Sequence, residues 1–215
     1  MLYLSFSVYK AGQKMSALCD RLIGENGEGR TGPDRLDSGT TQRKKPMTRP
    51  FYLGVIDALN KAKVRYTVVG GVATLLHGAP RMTGDLDLAV ILDEENLSHF
   101  VDVMERLGYK PKVPVSPKDL ANPETRESWK REKGMKVFTF FHPKKPFAEV
   151  DILIDEQISF NKLWQHRIEY QAGDMIVPTA SMDDLIAMKQ ISARDKDLSD
   201  IAALNRIKAL KERER

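Results

Sequence analysis

Two aspartates separated by one residue, Asp85 and Asp87, begin an otherwise apolar run, Asp85–Leu92 (DLDLAVIL). On a strand, residues two apart leave the same face, with Cα atoms about 7 Å apart. Two carboxylates so placed repel each other unless a cation sits between them. A divalent ion fills that role, and Mg²⁺ takes such oxygen ligands with water and phosphate completing its shell. Asp151 opens a second apolar run, Asp151–Ile154. If the two runs lie side by side, Asp151 becomes a third ligand. Three carboxylates suit a pair of ions about 4 Å apart, the arrangement used for in-line phosphoryl displacement.

Gly70 and Gly71 supply a second half to this chemistry. They follow the β-branched run Val64–Val69 and precede an apolar stretch, Val72–His77, closed by Gly78. Residues without Cβ let the backbone approach a phosphate closely. A helix starting at Val72 would aim its free N–H groups at that phosphate. A Gly-Gly turn or an Asp-x-Asp pair alone carries little weight, since each is more often structural. Their order (strand, Gly-Gly, helix, acidic strand, then a further acidic strand) carries more.

The elements that must position these residues are readable from periodicity. Phe51–Ala62 has Leu53, Ile56 and Leu59 at helical spacing, and Glu94–Leu107 has Leu97, Phe100, Val101, Met104 and Leu107 on one face before Gly108. Tyr109–Lys133, rich in proline and charge, reads as a long irregular excursion or lid. Lys136–Phe141 and Phe147–Ile154 read as strands around the turn at 142–146, and Met175–Val177 as a short strand. Ser181, Asp183 and Asp184 open a helix over Leu185–Ile191, and Leu198–Lys211 forms a last helix. The order implies a mixed α/β (α+β) fold: a mixed sheet flanked by helices, with a C-terminal helical segment. We expect an irregular or disordered extension over 1–49, a core over 50–178, and the helical segment over 179–215 packed on the core.

The chain has 215 residues, 41% hydrophobic and 30% charged, as in ordinary globular proteins. A net charge of +4 permits a polyanionic partner without requiring one. Cys19 is the single cysteine, which excludes an internal disulfide and a Cys-rich zinc site and fits a cytoplasmic location. No apolar run is long enough to span a membrane, and the opening Met1–Tyr9 is a poor secretory signal. Gly24–Pro50 is Gly-, Pro-, Ser- and charge-rich, with basic Arg43, Lys44 and Lys45. Met47 looks like a domain start, and residues Met1 to Lys45 are expected to be dispensable.

The stretch VVGGVATLLHGAPRMTGDLDLAV resembles the DNA polymerase β-like nucleotidyltransferase superfamily, whose signature is Gly-Gly or Gly-Ser followed by Asp-x-Asp among apolar residues. The stretch VPTASMDDLIAMKQISARDKDLSDIAAL is similar to the C-terminal motif of the AbiEii-type nucleotidyltransferase-like family, with Lys189, Arg194, Lys196-Asp197 and Asp200 in its key positions. Together they span roughly Val64 to Leu204. The resemblance implies a nucleotidyltransferase-type fold, Asp85 and Asp87 as metal ligands, Gly70 and Gly71 against a triphosphate, and Lys189 and Arg194 reaching phosphates or substrate. Arg81 and Thr83 match the Arg-x-Thr-x-Asp-x-Asp pattern and either bind phosphate or brace the loop. Two departures stand out. Gly71 replaces a serine hydroxyl, and Lys196 replaces an arginine and with it bidentate geometry.

The implied activity is transfer of a nucleoside monophosphate from an NTP to an acceptor hydroxyl, of EC 2.7.7 type, with Asp85, Asp87 and Asp151 holding Mg²⁺ or Mn²⁺. The acceptor stays open among an RNA or tRNA end, a protein side chain and a small molecule. A toxin of a toxin–antitoxin pair, with an antitoxin protein partner, fits the same resemblance. The alternative is a non-catalytic nucleotide- or RNA-binding protein on the same fold. For Lys189, Arg194 and Lys196 the competing reading is a solvated helix face paired with Asp195, Asp197 and Asp200. His77 is expected to pack or cap its helix. For Trp129 and Trp164, core or lid packing competes with base stacking.

Overall fold

Helix α1 (Phe51–Lys61) turns Leu53, Val55, Ile56 and Leu59 inward and delivers the chain to strand β1 (Tyr66–Val68), which is buried throughout. The structure is a computed structural model and describes residues 51–214. The expected N-terminal extension, with Cys19, lies outside the described residues. Helix α2 (Gly70–Leu76) follows β1 at once, then strand β2 (Asp85–Val90). Helix α3 (Glu94–Arg106) is capped by Asp93, whose carboxylate accepts from the Asn96 N–H at 2.7 Å, and Gly108 at φ +83° takes the chain out of it. The Asn96 side chain is itself buried, and it bridges the Ile91 carbonyl and the Arg65 backbone, binding α3 to the ends of β1 and β2.

The remaining strands are β3 (Lys110–Pro111), β4 (Val137–Phe141), β5 (Glu149–Leu153), β6 (Ile168–Ala172) and β7 (Met175–Thr179). They form one seven-stranded sheet in the order β3-β4-β5-β2-β1-β7-β6. The β2–β5 and β1–β7 pairings are parallel and the others antiparallel. β2 sits at the centre, and its Leu86 and Leu88 face the core opposite Asp85 and Asp87. Each Leu buried from full exposure contributes about 1.5–3 kcal/mol, which holds the acidic face outward toward the site.

The stretch at 109–133 is not an irregular lid. It holds β3, a 3₁₀ turn (Pro117–Ala121) and helix α4 (Pro123–Lys133). Its prolines do not break helices because Pro117 and Pro123 sit in first turns, behind the caps Ser116 and Asn122. α4 shows little amphipathic signal because two residues, Arg126 and Trp129, do its burying. The Arg126 guanidinium donates to the Leu120 and Leu92 carbonyls at 2.6 and 2.7 Å, and Trp129 stacks on Phe138.

Two further elements escaped the sequence reading: helix α5 (Phe160–His166) and the edge strand β6. α5 is one short helix with Phe160 and Leu163 inward. β6, IEYQA, is exposed over most of its length and lacks apolar alternation. Helix α6 (Met182–Ser192) and helix α7 (Asp195–Arg213) complete the described chain, separated by Ala193 at φ +48°. α6 starts behind the Ser181 cap, as expected, while α7 begins a turn earlier than the apolar periodicity suggests, because the Asp197 carboxylate accepts from the Arg194 N–H at 3.2 Å and sets its start.

Candidate active site

The parallel register between β2 and β5 pairs Asp85 with Glu149 and Asp87 with Asp151. Asp85, Asp87 and Asp151 each offer a carboxylate oxygen, and these oxygens lie within 4.8 Å of one another, half-buried. Two charges of the trio, on Asp87 and Asp151, are harder to hold than in water. Burial raises the Asp87 carboxyl to about 6, the Asp85 charge adds to the shift, and the Gly71 N–H opposes it. Burial raises Asp151 as well, against the Thr139 hydroxyl, which faces it across β4. Asp151 Oδ1 is buried with no hydrogen-bond partner. An unpaired buried carboxylate oxygen is costly, and a divalent cation between the three carboxylates removes both that cost and the repulsion. The donor set, all oxygen, fits a hard ion such as Mg²⁺.

α2 starts at Gly70 rather than at Val72, and Val69, its N-cap, provides no side-chain hydrogen bond. The cap comes instead from the neighbouring strand: the Gly71 N–H donates to Asp87 Oδ2 at 3.3 Å. This arrangement needs both glycines. Gly70 sits at φ +61°, and a Cβ there would collide with the Asp87 carboxylate. A Cβ on Gly71 would collide with the Thr83 hydroxyl and lie 3.2 Å from Arg81 Nε. The glycines are therefore in contact with the acidic site and its bracing loop. The Thr83 hydroxyl donates to Asp85 Oδ1 at 3.2 Å, so Thr83 braces a carboxylate of the trio.

Lys189 and Arg194 do not share one helix. Lys189 lies in α6 and Arg194 is the N-cap of α7, beyond the break at Ala193. They meet at Asp197, which is buried: Arg194 Nε donates to it at 2.8 Å, Ser192 bonds it, and Lys189 Nζ lies 3.6 Å away. Burial alone would raise Asp197, but the bonds from Arg194 and Ser192 hold it well below the usual carboxylate range. Lys189 Nζ also donates to Asp200 Oδ2 at 2.6 Å, and Arg81 Nη1 is ion-paired with that same oxygen. The competing reading of ion pairs with Asp197 and Asp200 is thus present in part, but the acids and Lys189 are buried rather than on a solvated face, and Asp200 joins the loop before β2 and α6 to α7. Lys196 is exposed.

His77 is a structural residue. Its Nε2 donates to the Ala180 carbonyl and its Nδ1 accepts from the Tyr170 hydroxyl, both at 2.7 Å, and burial lowers it to about 4, so the ring is neutral at pH 7. Trp129 is core, while Trp164 stacks on Phe160 and carries the Arg167 guanidinium 3.9 Å above its ring. Among the described residues no helix is long and apolar enough to cross a membrane.

Residues 55–211 match the family described as "Nucleotidyltransferase of unknown function (DUF6036)". No curated protein matches the chain. Solved structures similar to it include the following two. One is a lincosamide antibiotic adenylyltransferase bound to lincomycin, 17% identical over 73% of this chain and 95% of that one, with a TM-score of 0.49. The other is ANT(2″)-Ia in complex with adenylyl-2″-tobramycin, 13% identical over 75% of this chain and 92% of that one, with a TM-score of 0.46.

Proposed function

The chain belongs to this family of nucleotidyltransferases of unknown function, and we propose that it moves a nucleoside monophosphate from an NTP to an acceptor hydroxyl with the help of Mg²⁺ or Mn²⁺. One observation carries the proposal: three carboxylates from two paired strands converge within 4.8 Å, with Asp151 Oδ1 buried and unpaired among them. Asp85, Asp87 and Asp151 would hold the metal. A divalent ion held there neutralises the triphosphate and lowers the pKa of a bound hydroxyl.

The chain's own residues then have distinct tasks. Asp151, at the edge of the trio on β5, accepts the proton of the acceptor hydroxyl. The acceptor oxygen forms its bond to the α-phosphorus, and the bond to the leaving pyrophosphate breaks in line. Gly70 and Gly71 keep the β1–α2 turn free of side chains, and Arg81 and Lys189 offer positive charge to the phosphates. Thr83 holds Asp85 in place.

The acceptor is an RNA or tRNA end, a protein hydroxyl or a small molecule, and the AbiEii-type likeness of the C-terminal motif supports a toxin-like role with an antitoxin partner. The test is incubation with α-labelled NTPs, Mg²⁺, cellular RNA and protein, followed by separation of the products. Label in RNA, protein or small-molecule fractions identifies the acceptor. Nucleotide binding without pyrophosphate release, across all acceptors, would mark a binding protein instead.

A further inference from the structure

One oxygen, Asp200 Oδ2 in α7, accepts from two cations of two other elements: Arg81, in the loop before β2, and Lys189, in α6. The side chains of Arg81, Lys189 and Asp200 are 19%, 7% and 10% exposed. Stability alone does not call for this. One carboxylate neutralises one cation, and a second buried cation beside it brings a desolvation cost and repulsion. Lys189 shows both effects: burial lowers its proton affinity and the Arg81 charge lowers it further. The nearest other carboxylate, Asp197, is already engaged by Arg194 and Ser192. The cluster of Arg81, Lys189, Arg194, Asp197 and Asp200 thus holds one positive charge in excess.

The excess points at the site. Arg81 Nε is buried and has no hydrogen-bond partner among the described residues. It lies over Gly71, where an added Cβ would come within 3.2 Å of it. A buried guanidinium N–H without an acceptor is costly, and an anion bound against it would satisfy it, whereas the side of Gly71 itself is filled by the Thr83 hydroxyl. Lys189 is within electrostatic reach of Asp87.

We propose that Asp200 is a positioning residue for the nucleotide: by gripping Arg81 and Lys189 on one oxygen it presents them as a single clamp for the triphosphate, with Arg81 Nε–H as its free donor. The inference rests on the NTP reading above and adds that α7 belongs to the nucleotide site. Asp200 never touches substrate; it acts through the two cations.

The test is calorimetric titration of the full chain, at fixed Mg²⁺, with inorganic tripolyphosphate and with each NTP, for wild type, Asp200→Asn and Arg81→Lys. Thermal midpoints and steady-state kinetics accompany it. Arg81→Lys keeps an ammonium for Asp200 but removes the Nε–H, so it answers the question even where Asp200→Asn fails to fold. Both variants are expected to bind tripolyphosphate about tenfold or more weakly, with KM for the NTP rising more than kcat falls. A purely structural Asp200 would lower the thermal midpoint and leave tripolyphosphate affinity and KM unchanged, and that result overturns the proposal. So does wild-type affinity in folded Arg81→Lys. Failure of the wild type to bind any NTP would instead remove the nucleotide reading beneath it.

Discussion

Replacing Asp87 with Asn should stabilise the metal-free protein at neutral pH while destroying its proposed chemistry. The folded state raises Asp87 from an ordinary 3.8 to about 6 because burial and the neighbouring Asp85 charge disfavour its ionised form. Between those two values the folded chain binds more protons than the unfolded chain, so stability falls as pH rises through that window. Above pH 6 the full cost is present. At 1.36 kcal/mol per unit it amounts to about 3 kcal/mol. Asn keeps the acceptor for the Gly71 N–H and loses the charge, so Asp87→Asn recovers about 2–3 kcal/mol at pH 8. The assay is urea unfolding followed by circular dichroism, in EDTA, from pH 4 to 8. The gap between variant and wild type should be widest above pH 6 and nearly closed at pH 4. Adding Mg²⁺ at about 100 times its Kd should stabilise the wild type by about 2.7 kcal/mol and close most of the gap at pH 8. A variant that is no more stable than the wild type at pH 8 in EDTA would refute the electrostatic account of the site.

Other perturbations test other parts. Asp87→Ala should abolish nucleotide transfer with the circular dichroism spectrum unchanged; full activity in that variant sinks the mechanism. Gly70→Ala introduces a Cβ at φ +61° against the Asp87 carboxylate and should cost about 1–3 kcal/mol together with divalent-ion affinity, read by thermal melts with and without Mg²⁺. His77, held near 4 against an ordinary 6.5, keeps its proton less readily when folded. Its contribution is therefore intact above pH 6.5 and is lost as pH falls toward 4, by about 3 kcal/mol; His77→Gln should flatten the acid limb of the unfolding profile. Arg126→Ala leaves the Leu92 and Leu120 carbonyls without their donor and should cost about 2–4 kcal/mol, with early proteolytic cleavage in α4.

The clustering of the acidic residues was more legible than the scaffold. Asp85, Asp87 and Asp151 stand out because an acid inside an apolar strand has few structural uses, and the condition for Asp151 to join them, that its strand lie beside the first, is met by the parallel register. Gly70 and Gly71 stand out for a related reason, although the structure first explains them by contact with Asp87 and Thr83. The excursion at 109–133 misled because proline was read as a breaker where it starts a helix, and because Arg126 buries its stem while its charge suggests exposure. β6 gave no signal because it is exposed on both faces over most of its length, so neither face calls for apolar residues. The break at Ala193 also lay beyond reach: nothing local marks an alanine for a left-handed conformation, and it places Lys189 and Arg194 on different helices.

The pairing of Asp87 with Asp151 also has a bearing on the order in which the protein matures. The two are partners in a parallel ladder at a sequence separation of 64, and Arg81 meets Asp200 at a separation of 119. Contacts of such separation close late, after local helices and hairpins have formed. During synthesis β1, α2 and β2 emerge with an acidic face that has no third carboxylate, and the cations beside it wait longer still for α7. The acidic trio is therefore complete only when β5 joins β2 in the sheet, and the proposed activity waits further for α7 to bring Asp200 to Arg81 and Lys189.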